Sequence, residues 1–364
     1  MAVGTRSLES VDIARLAATY RGRRILVTGH TGFKGSWLTL WLTELGASVT
    51  GYALQPTDPS MFRALELQNL CDSHESDVRD YDGLAAALDA ARPDFVFHLA
   101  AQPLVLASYQ DPLSTIETNV IGTANLLEAL RRIGRPCVVS IVTSDKCYEN
   151  REWVYAYREN EPMGGHDVYS MSKGAAELVV AGYRRSFFAN NEIRVASARA
   201  GNVIGGGDWA ENRIVPDAIR ALSKGATIDV RNPHAIRPWQ HVLEPLGGYL
   251  LLAQKLAENP ELAEAWNFGP LPDDARTVQE LVERVIHAWG AGTWSTEQRE
   301  QPHEAATLRL AIDKATARLQ WRPRWHFAAA VDRTVAWYKA AHDGATAEEL
   351  RQLTRTQIRD YLHG

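Results

Sequence analysis

From residue 23 onward the chain alternates short apolar runs with segments whose apolar residues recur every three to four positions. Arg24–Thr28 (RILVT), Ser48–Ala53, 95–99, Cys137–Val142 and 194–200 are β-rich runs bounded by turn residues. Continuous apolar runs of that length read as strands buried on both faces. Between them, 36–45, Tyr81–Ala91, 114–133 and 169–186 carry the helical period. Strand and helix in alternation predict a parallel sheet covered by helices on both sides. Right-handed crossovers then make it an α/β, doubly wound (Rossmann-type) sheet, with its ligand crevice at the carboxyl ends of the strands. Past Gly201 the rhythm loosens, and helical stretches at 244–257, Val278–Trp289 and 328–341 alternate with short strands. The expected organisation is an N-terminal extension over 1–20, a cofactor domain over 21–200 with a return segment near 237–258, and a smaller α+β substrate-binding domain over 201–364.

Composition narrows the class. The 364 residues leave room for about two domains of ~150 residues each. A chain with 45% hydrophobic and 23% charged residues is neither disordered nor collagenous. A net charge of −5 without a Lys/Arg block offers no footprint for nucleic acid. Cys71, Cys137 and Cys147 form no C-x-x-C pair, which argues against a disulfide framework or a zinc site and fits a reducing compartment. No apolar run approaches the ~20 residues of a membrane span. Arg6, Glu9, Asp12 and Arg15 interrupt the N-terminal stretch where a signal peptide needs an unbroken core. The expectation is a cytoplasmic protein with no metal, membrane or nucleic-acid partner.

The stretch ILVTGHTGFKGSWL sets Gly29, Gly32 and Gly35 between the first strand and a helix, with His30, Thr31 and Phe33 in the intervening positions. Glycines there allow a tight turn and the close approach of a pyrophosphate, whose charge meets free N–H groups at the helix N-terminus. The strand–loop–helix setting, more than the glycines themselves, predicts a dinucleotide cradle. The second strand ends at Ala53, where an acid would receive the adenosine ribose, and no Arg or Lys stands there for a 2′-phosphate. NAD therefore fits better than NADP, with Asp58 in the next loop as a substitute carboxylate. Asp77 and Val78 lie where a third strand should end, and the Asp77 carboxylate either faces the adenine amino group or is solvated. Leu99, Ala100, Ala101 and Gln102 close the next buried strand in small residues, as a backbone approaching a flat cofactor requires. His98 reads as a packed strand-end histidine.

Of twelve tyrosines, only Tyr169 has a lysine four residues on, Lys173. On a helix the two share a face. An ammonium beside a phenol lowers its pKa from ~10 toward working pH. Such a phenol can take the proton of a secondary alcohol while hydride leaves the carbon. The preceding strand ends in Thr143-Ser144-Asp145-Lys146, where Ser144 can hydrogen-bond the same alcohol.

With TGHTGFKG, SDVRD, HLAAQ, ETNVIGTANLLEA, TSDKCY, YSMSK and RAGNVIGGGDW in place, the chain resembles the extended short-chain dehydrogenase/reductases over nearly its whole length. More narrowly, VTGHTGFKGSWL, SDKCYENREWVYAYRENEPMGG and IRPWQHVLEPLGGYL are similar to the CDP-glucose branch of the sugar 4,6-dehydratases. The resemblance implies NAD, with Asn119 among its contacts, and a reaction taking CDP-glucose to CDP-4-keto-6-deoxyglucose plus water. That reaction is the first step toward deoxyhexoses of bacterial surface polysaccharide. In related dehydratases the strand ends in Thr-Asp-Glu, so Lys146 stands where a glutamate base is expected. Asp145, kept protonated by burial, would hand a proton to the departing C6 oxygen. Lys146 would either take the C5 proton as a neutral amine or stay charged and steady the enolate, and an ion pair between the two would couple their titrations.

The same resemblance sets Asn202, Arg213 and Arg237 against phosphate or ribose, with Arg231, Asn267 and His303 as further candidates. Arginine suits phosphate because its fork meets two oxygens at once. Trp153, Tyr155 and Tyr157 either close over the sugar or pack as core. A homodimer or homotetramer is expected. Three rivals share the fold: a nucleotide-sugar 4-epimerase, which needs Ser144, Tyr169 and Lys173 but no acid–base pair at 145–146, a dehydratase acting on another nucleoside-diphosphate sugar, and a non-catalytic dinucleotide sensor.

Overall fold

A computed structural model describes residues 13–296 and 308–363. Its centre is a seven-stranded sheet built from β1 (Arg24–Thr28), β2 (Ser48–Ala53), β3 (Asp72–Glu75), β4 (Phe95–His98), β5 (Cys137–Val142), β6 (Ile193–Ala200) and a last strand, Ala265–Phe268. The order across the sheet is Ala265–Phe268, β6, β5, β4, β1, β2, β3, and every neighbouring pair is parallel. The order reverses between β1 and β4, so the crevice opens where the Gly29 turn and the Leu99–Gln102 segment meet.

The pleat explains why these strands read as unbroken apolar runs. Leu26, Val96, Val139 and Val195 lie side by side across β1, β4, β5 and β6. They face Leu84 and Leu88 of the helix Tyr81–Ala91, Leu126 and Leu130 of Gly122–Ile133, and Val180 of Val168–Tyr183. Their neighbours Ile25, Val27, Phe95 and Phe97 turn the other way, onto Trp37 and Trp41 of Phe33–Glu44 and Leu250 of Leu243–Glu258. Each such side chain, fully buried, contributes about 1.5–3 kcal/mol. That holds the strand ends rigidly enough to carry chemistry.

Three segments depart from the expected pattern. The helix foreseen at 114–133 is a run of Pro112–Ile116, a π turn at Glu117–Ile121 and Gly122–Ile133. The helix foreseen at 169–186 starts at Val168 under an Asp167 cap, whose carboxylate accepts from Ser170 N at 2.8 Å, and gives way to a π turn at Arg184–Phe188. β4 stops at His98, one residue short, although Leu99 N still donates to Thr28 O at 3.0 Å; the ring nitrogens of His98 meet Thr28 and Thr123.

Beyond β6 the chain forms short two-stranded pairs, among them Ile236–Pro238 with Ala275–Thr277. The helix Leu243–Glu258 packs on the sheet and leads to the strand beside β6. Two C-terminal helices, Phe327–His342 and Ala347–His363, close the molecule. The second returns to Phe33–Glu44, with Tyr361 edge-on to Trp41 at 5.7 Å and Arg355 2.8 Å from Glu44. Among the described residues no helix is long and apolar enough to cross a membrane.

Candidate active site

Gly29 follows β1 directly, with φ +74°, and donates its N–H to Tyr52 O at 2.9 Å. A Cβ there would lie 2.6 Å from Ala100 N, so only glycine lets the loop meet the segment after β4. A Cβ on Gly35 would lie 2.0 Å from Gly29 O, which brings the helix Phe33–Glu44 hard against the turn. Gly32 caps that 12-residue helix without a side-chain hydrogen bond, leaving its first amides for an anion. This cradle has the shape and polarity a dinucleotide diphosphate requires.

The residues around it divide into walls and braces. Thr31 Oγ1 donates to Leu54 O at 2.9 Å. His30 is buried, with Nε2 2.7 Å from Ser73 Oγ and its ring edge-on to Phe62, and burial pushes it down to about 4, helped by His74. It wedges the cradle against β2 and β3 as a neutral imidazole. Phe33 lies over Gly205. Leu99 N and Ala100 N are held by Thr28, and Ala101 follows half-buried. Asn119 accepts from Gln102 N at 2.8 Å and donates to Gln102 O and to Ser172 Oγ, so it ties the segment after β4 to the helix Val168–Tyr183. Asp77 is engaged by Arg79, whose Nε and Nη2 lie 2.9 and 2.6 Å from Oδ2, and that pairing holds its carboxyl below the usual range. An adenine at this end of the sheet would meet Asp77 already paired, beside the buried Val78.

At the end of β5, Ser144 opens a tight turn over Asp145–Cys147. Its Oγ donates to Asp145 Oδ1 at 3.0 Å and accepts from Lys146 N at 3.3 Å. Asp145 is buried and Lys146 half-buried. A Cβ on Gly201, just past β6, would lie 2.4 Å from Asp145 Oδ2. Tyr169, 7% exposed, sits beside Ser144. Lys173 Nζ is 6.0 Å from the Tyr169 ring centroid.

The expected depression of the phenol is not what the protein alone produces. Burial pushes Tyr169 up to about 12, with Asp145 and Asp167 adding to the rise and Ser144 and Arg213 opposing it. Lys173 is itself lowered to about 8 by burial, against the pull of Cys147 and Glu177. For the phenol, desolvation outweighs the Ser144 hydrogen bond and the Arg213 charge.

The substrate candidates separate. Arg213 reaches the site: its Nη1 lies 2.8 Å from Asp208 Oδ2 and its charge acts on Tyr169. Asn202 is half-buried just past Gly201 and its carbonyl accepts from Gln240 N. Arg237 is buried, with Nη1 on Ile236 O, while Arg231 is exposed and donates to Asn212 O. Asn267 is sealed away: Nδ2 donates to Tyr157 O and Ala311 O, and Oδ1 accepts from Tyr148 OH at 2.7 Å. With its amide fully engaged and no exposed surface, Asn267 braces the wall. His303 lies outside the described residues. Tyr157 stacks on Tyr148 at 5.2 Å as core, Trp153 leans on it, and Tyr155 is 68% exposed.

Two groups escaped the sequence reading. Lys34, inside the glycine motif, is half-buried, and its ammonium feels Arg213, Lys173, Asp145 and Asp208. Burial first, then the two cations, push it down to about 8. Arg309 lines a cleft with Gly201, Pro238 and Leu310, and its Nε is buried with no partner among the described residues. Lys34 was signalled only by its place between two of the glycines; Arg309 had no local signal.

Comparison with known proteins finds relatives over most of the chain. The chain is 50% identical over 351 residues to the CDP-glucose 4,6-dehydratase of Salmonella typhimurium, covering 94% of this chain and 97% of the relative. It is 29% identical over 328 residues to a dTDP-glucose 4,6-dehydratase of Streptomyces antibioticus, covering 86% and 92%. In fold it is similar to the dTDP-glucose 4,6-dehydratase of Streptomyces venezuelae solved with NAD and TYD bound, at a TM-score of 0.75 and 24% identity over 88% of this chain and 98% of that one. The sequence model of the GDP-mannose 4,6 dehydratase family matches residues 26–334, and the chain belongs to that family of extended short-chain dehydrogenase/reductases.

Proposed function

We propose that the chain is an NAD-dependent hydro-lyase that converts CDP-D-glucose to CDP-4-keto-6-deoxy-D-glucose and water. The observation that carries this reading is the convergence of Ser144 and Asp145 with Tyr169 at the crevice, in a chain half-identical to a CDP-glucose 4,6-dehydratase. The Gly29–Gly35 cradle would hold NAD, which would supply the hydride acceptor and donor the reaction needs and a positive charge to oppose the burial-driven rise of Tyr169. Tyr169 receives the C4 hydroxyl proton while Ser144 orients that oxygen. The resulting ketone acidifies C5–H, and Lys146 takes that proton as Asp145 protonates the departing C6 oxygen. Lys146 then returns its proton to C5, and because the hydride equivalent taken from C4 would be given back at C6, net redox is zero. Arg213 and Arg309 supply guanidinium groups for the diphosphate.

The acid–base pair at 145–146 favours dehydration over 4-epimerisation, which leaves C6 untouched. CDP-glucose deuterated at C4 tests this: the label is expected at C6 of a product lighter by one water. A C4 epimer that keeps its C6 hydroxyl overturns the reading.

The surrounding biology follows as part of the same proposal: a cytoplasmic enzyme making the precursor of deoxyhexoses for bacterial surface polysaccharide. Tyr109, Leu113, Ile121, Met171, Leu178 and Phe187 are exposed apolar residues on adjoining helical segments. That face suits a second copy, in a homodimer or homotetramer. Sedimentation of Leu178→Asp should show a lighter species than the parent chain, and an unchanged mass overturns this assignment.

A further inference from the structure

Glu177 and Arg199 form a buried ion pair at 2.7 Å, each 4% exposed, directly behind the reacting groups. Glu177 lies one helical turn after Lys173 and two after Tyr169, on the same face of Val168–Tyr183. Its Oε1 accepts from Thr143 Oγ1 at 2.5 Å, and its Oε2 accepts from Ser197 Oγ at 2.8 Å as well as from Arg199. Thr143 is the residue immediately before Ser144. Arg199 uses its other nitrogen, Nη1, to reach Tyr148 OH at 2.7 Å and Glu159 O at 3.1 Å, with its guanidinium 5.0 Å over the Tyr148 ring. Tyr148 is the residue immediately after the Asp145–Cys147 turn.

One ion pair therefore holds both ends of the turn that presents Ser144, Asp145 and Lys146, and fastens it to the helix that presents Tyr169 and Lys173. We infer that Glu177 and Arg199 are positioning residues: acting through Thr143 and Tyr148, they set the register between the alcohol-oxidising pair and the dehydrating pair. Hydrophobic residues of similar volume would stabilise such a core position as well or better, so stability alone does not account for a buried pair. Geometry does, because a misplacement of about 1 Å at a reacting group costs on the order of 100-fold in rate. The carboxylate also stands near Lys173 and supports its charge.

This inference rests on the proposed dehydration, so its test has one arm that does not. Glu177→Gln strands a buried guanidinium and risks unfolding; Thr143→Val removes one link and Tyr148→Phe the other, together with the Tyr148 bond to Asn267, and both leave the ion pair itself intact. With CDP-glucose and NAD, each is expected to lower kcat by about 10- to 100-fold with KM changed by less than about 2-fold. Thr143→Ser, which keeps the hydroxyl, is expected to restore the rate. In the same proteins without substrate, amide hydrogen exchange over residues 144–148 should speed up while β1 and β4 stay protected. Parent-like kcat in both single variants overturns the inference. So does unchanged exchange over 144–148, an outcome that decides even if the parent chain leaves CDP-glucose untouched.

Discussion

Gly35→Ala puts the cradle to the test. The added Cβ would lie 2.0 Å from Gly29 O, 2.7 Å from His30 Cα and 2.8 Å from Gly29 C, all backbone, where ordinary contact begins at 3.4 Å. Helix and turn must part by about 1.4 Å at that point. The helix cannot yield easily, because Trp37 and Trp41 on it are fully buried and Trp37 Nε1 donates to Gly206 O at 2.9 Å. The turn is held in its turn by Gly29 N on Tyr52 O. Overpacking of this kind costs about 1–3 kcal/mol of folding stability. If the diphosphate sits on these amides, the same displacement should weaken NAD binding by about 100-fold, equivalent to about 2.7 kcal/mol.

The assay is NAD titration by calorimetry alongside denaturant unfolding, with Gly248→Ala as the matched control. A Cβ at Gly248, in the helix Leu243–Glu258, would lie 2.3 Å from the Phe268 ring. It should cost comparable stability and leave NAD affinity within about 2-fold, since it is remote from the turn. Equal NAD affinities in the two variants would refute the placement of the cofactor.

Gly182→Ala meets nothing within 4 Å on the helix Val168–Tyr183 and should stabilise the fold by about 0.5–1 kcal/mol in urea unfolding. Burial raises Glu244 from 4.5 to about 7, against hydrogen bonds from Trp325 N, Arg324 N and Tyr361 OH. Its contribution is therefore fully present below pH 4.5 and is lost as pH rises to about 7, so Glu244→Gln should gain about 3 kcal/mol relative to the parent above that range, and parallel stability curves would contradict this. Tyr169→Phe should yield no reduced nicotinamide with CDP-glucose, whereas Asp145→Asn and Lys146→Ala should let reduced nicotinamide and ketosugar accumulate while overall turnover falls about 100- to 10,000-fold. Lys146→Arg keeps the charge without the base, so a rate matching the parent would assign Lys146 to enolate stabilisation.

What the chain revealed in advance, and what it hid, follows from how far each signal reaches. β1, β4, β5 and β6 were legible because burial on both faces writes itself into consecutive residues, and the pleat confirms it in the register of Leu26, Val96, Val139 and Val195. The glycine motif was legible because the Gly35 contact is with backbone six residues away, whereas the crowding of Gly29 against Ala100 crosses 70 intervening positions and no local pattern shows it. The strand Ala265–Phe268 has four residues and joins β6 across 64 intervening positions, beyond any local pattern.

Side-chain fate was the harder part. Asn267 is expected among the substrate groups, yet four groups on distant segments, Tyr148, Tyr157, Ala311 and Glu159, consume its amide and its backbone N–H. Tyr169 and Lys173 announce themselves by spacing, but burial shifts both, with Ser144, Asp145 and Arg213 acting on the phenol and Cys147 and Glu177 on the ammonium, none of which the spacing encodes. The Glu177–Arg199 pair joins residues 22 apart whose shared purpose appears only when Thr143 and Tyr148 are seen at either end of one turn. Reacting groups sit in short motifs because their own backbone must present them. The groups that hold the motifs in place come from wherever the fold brings a partner, and they carry no motif of their own.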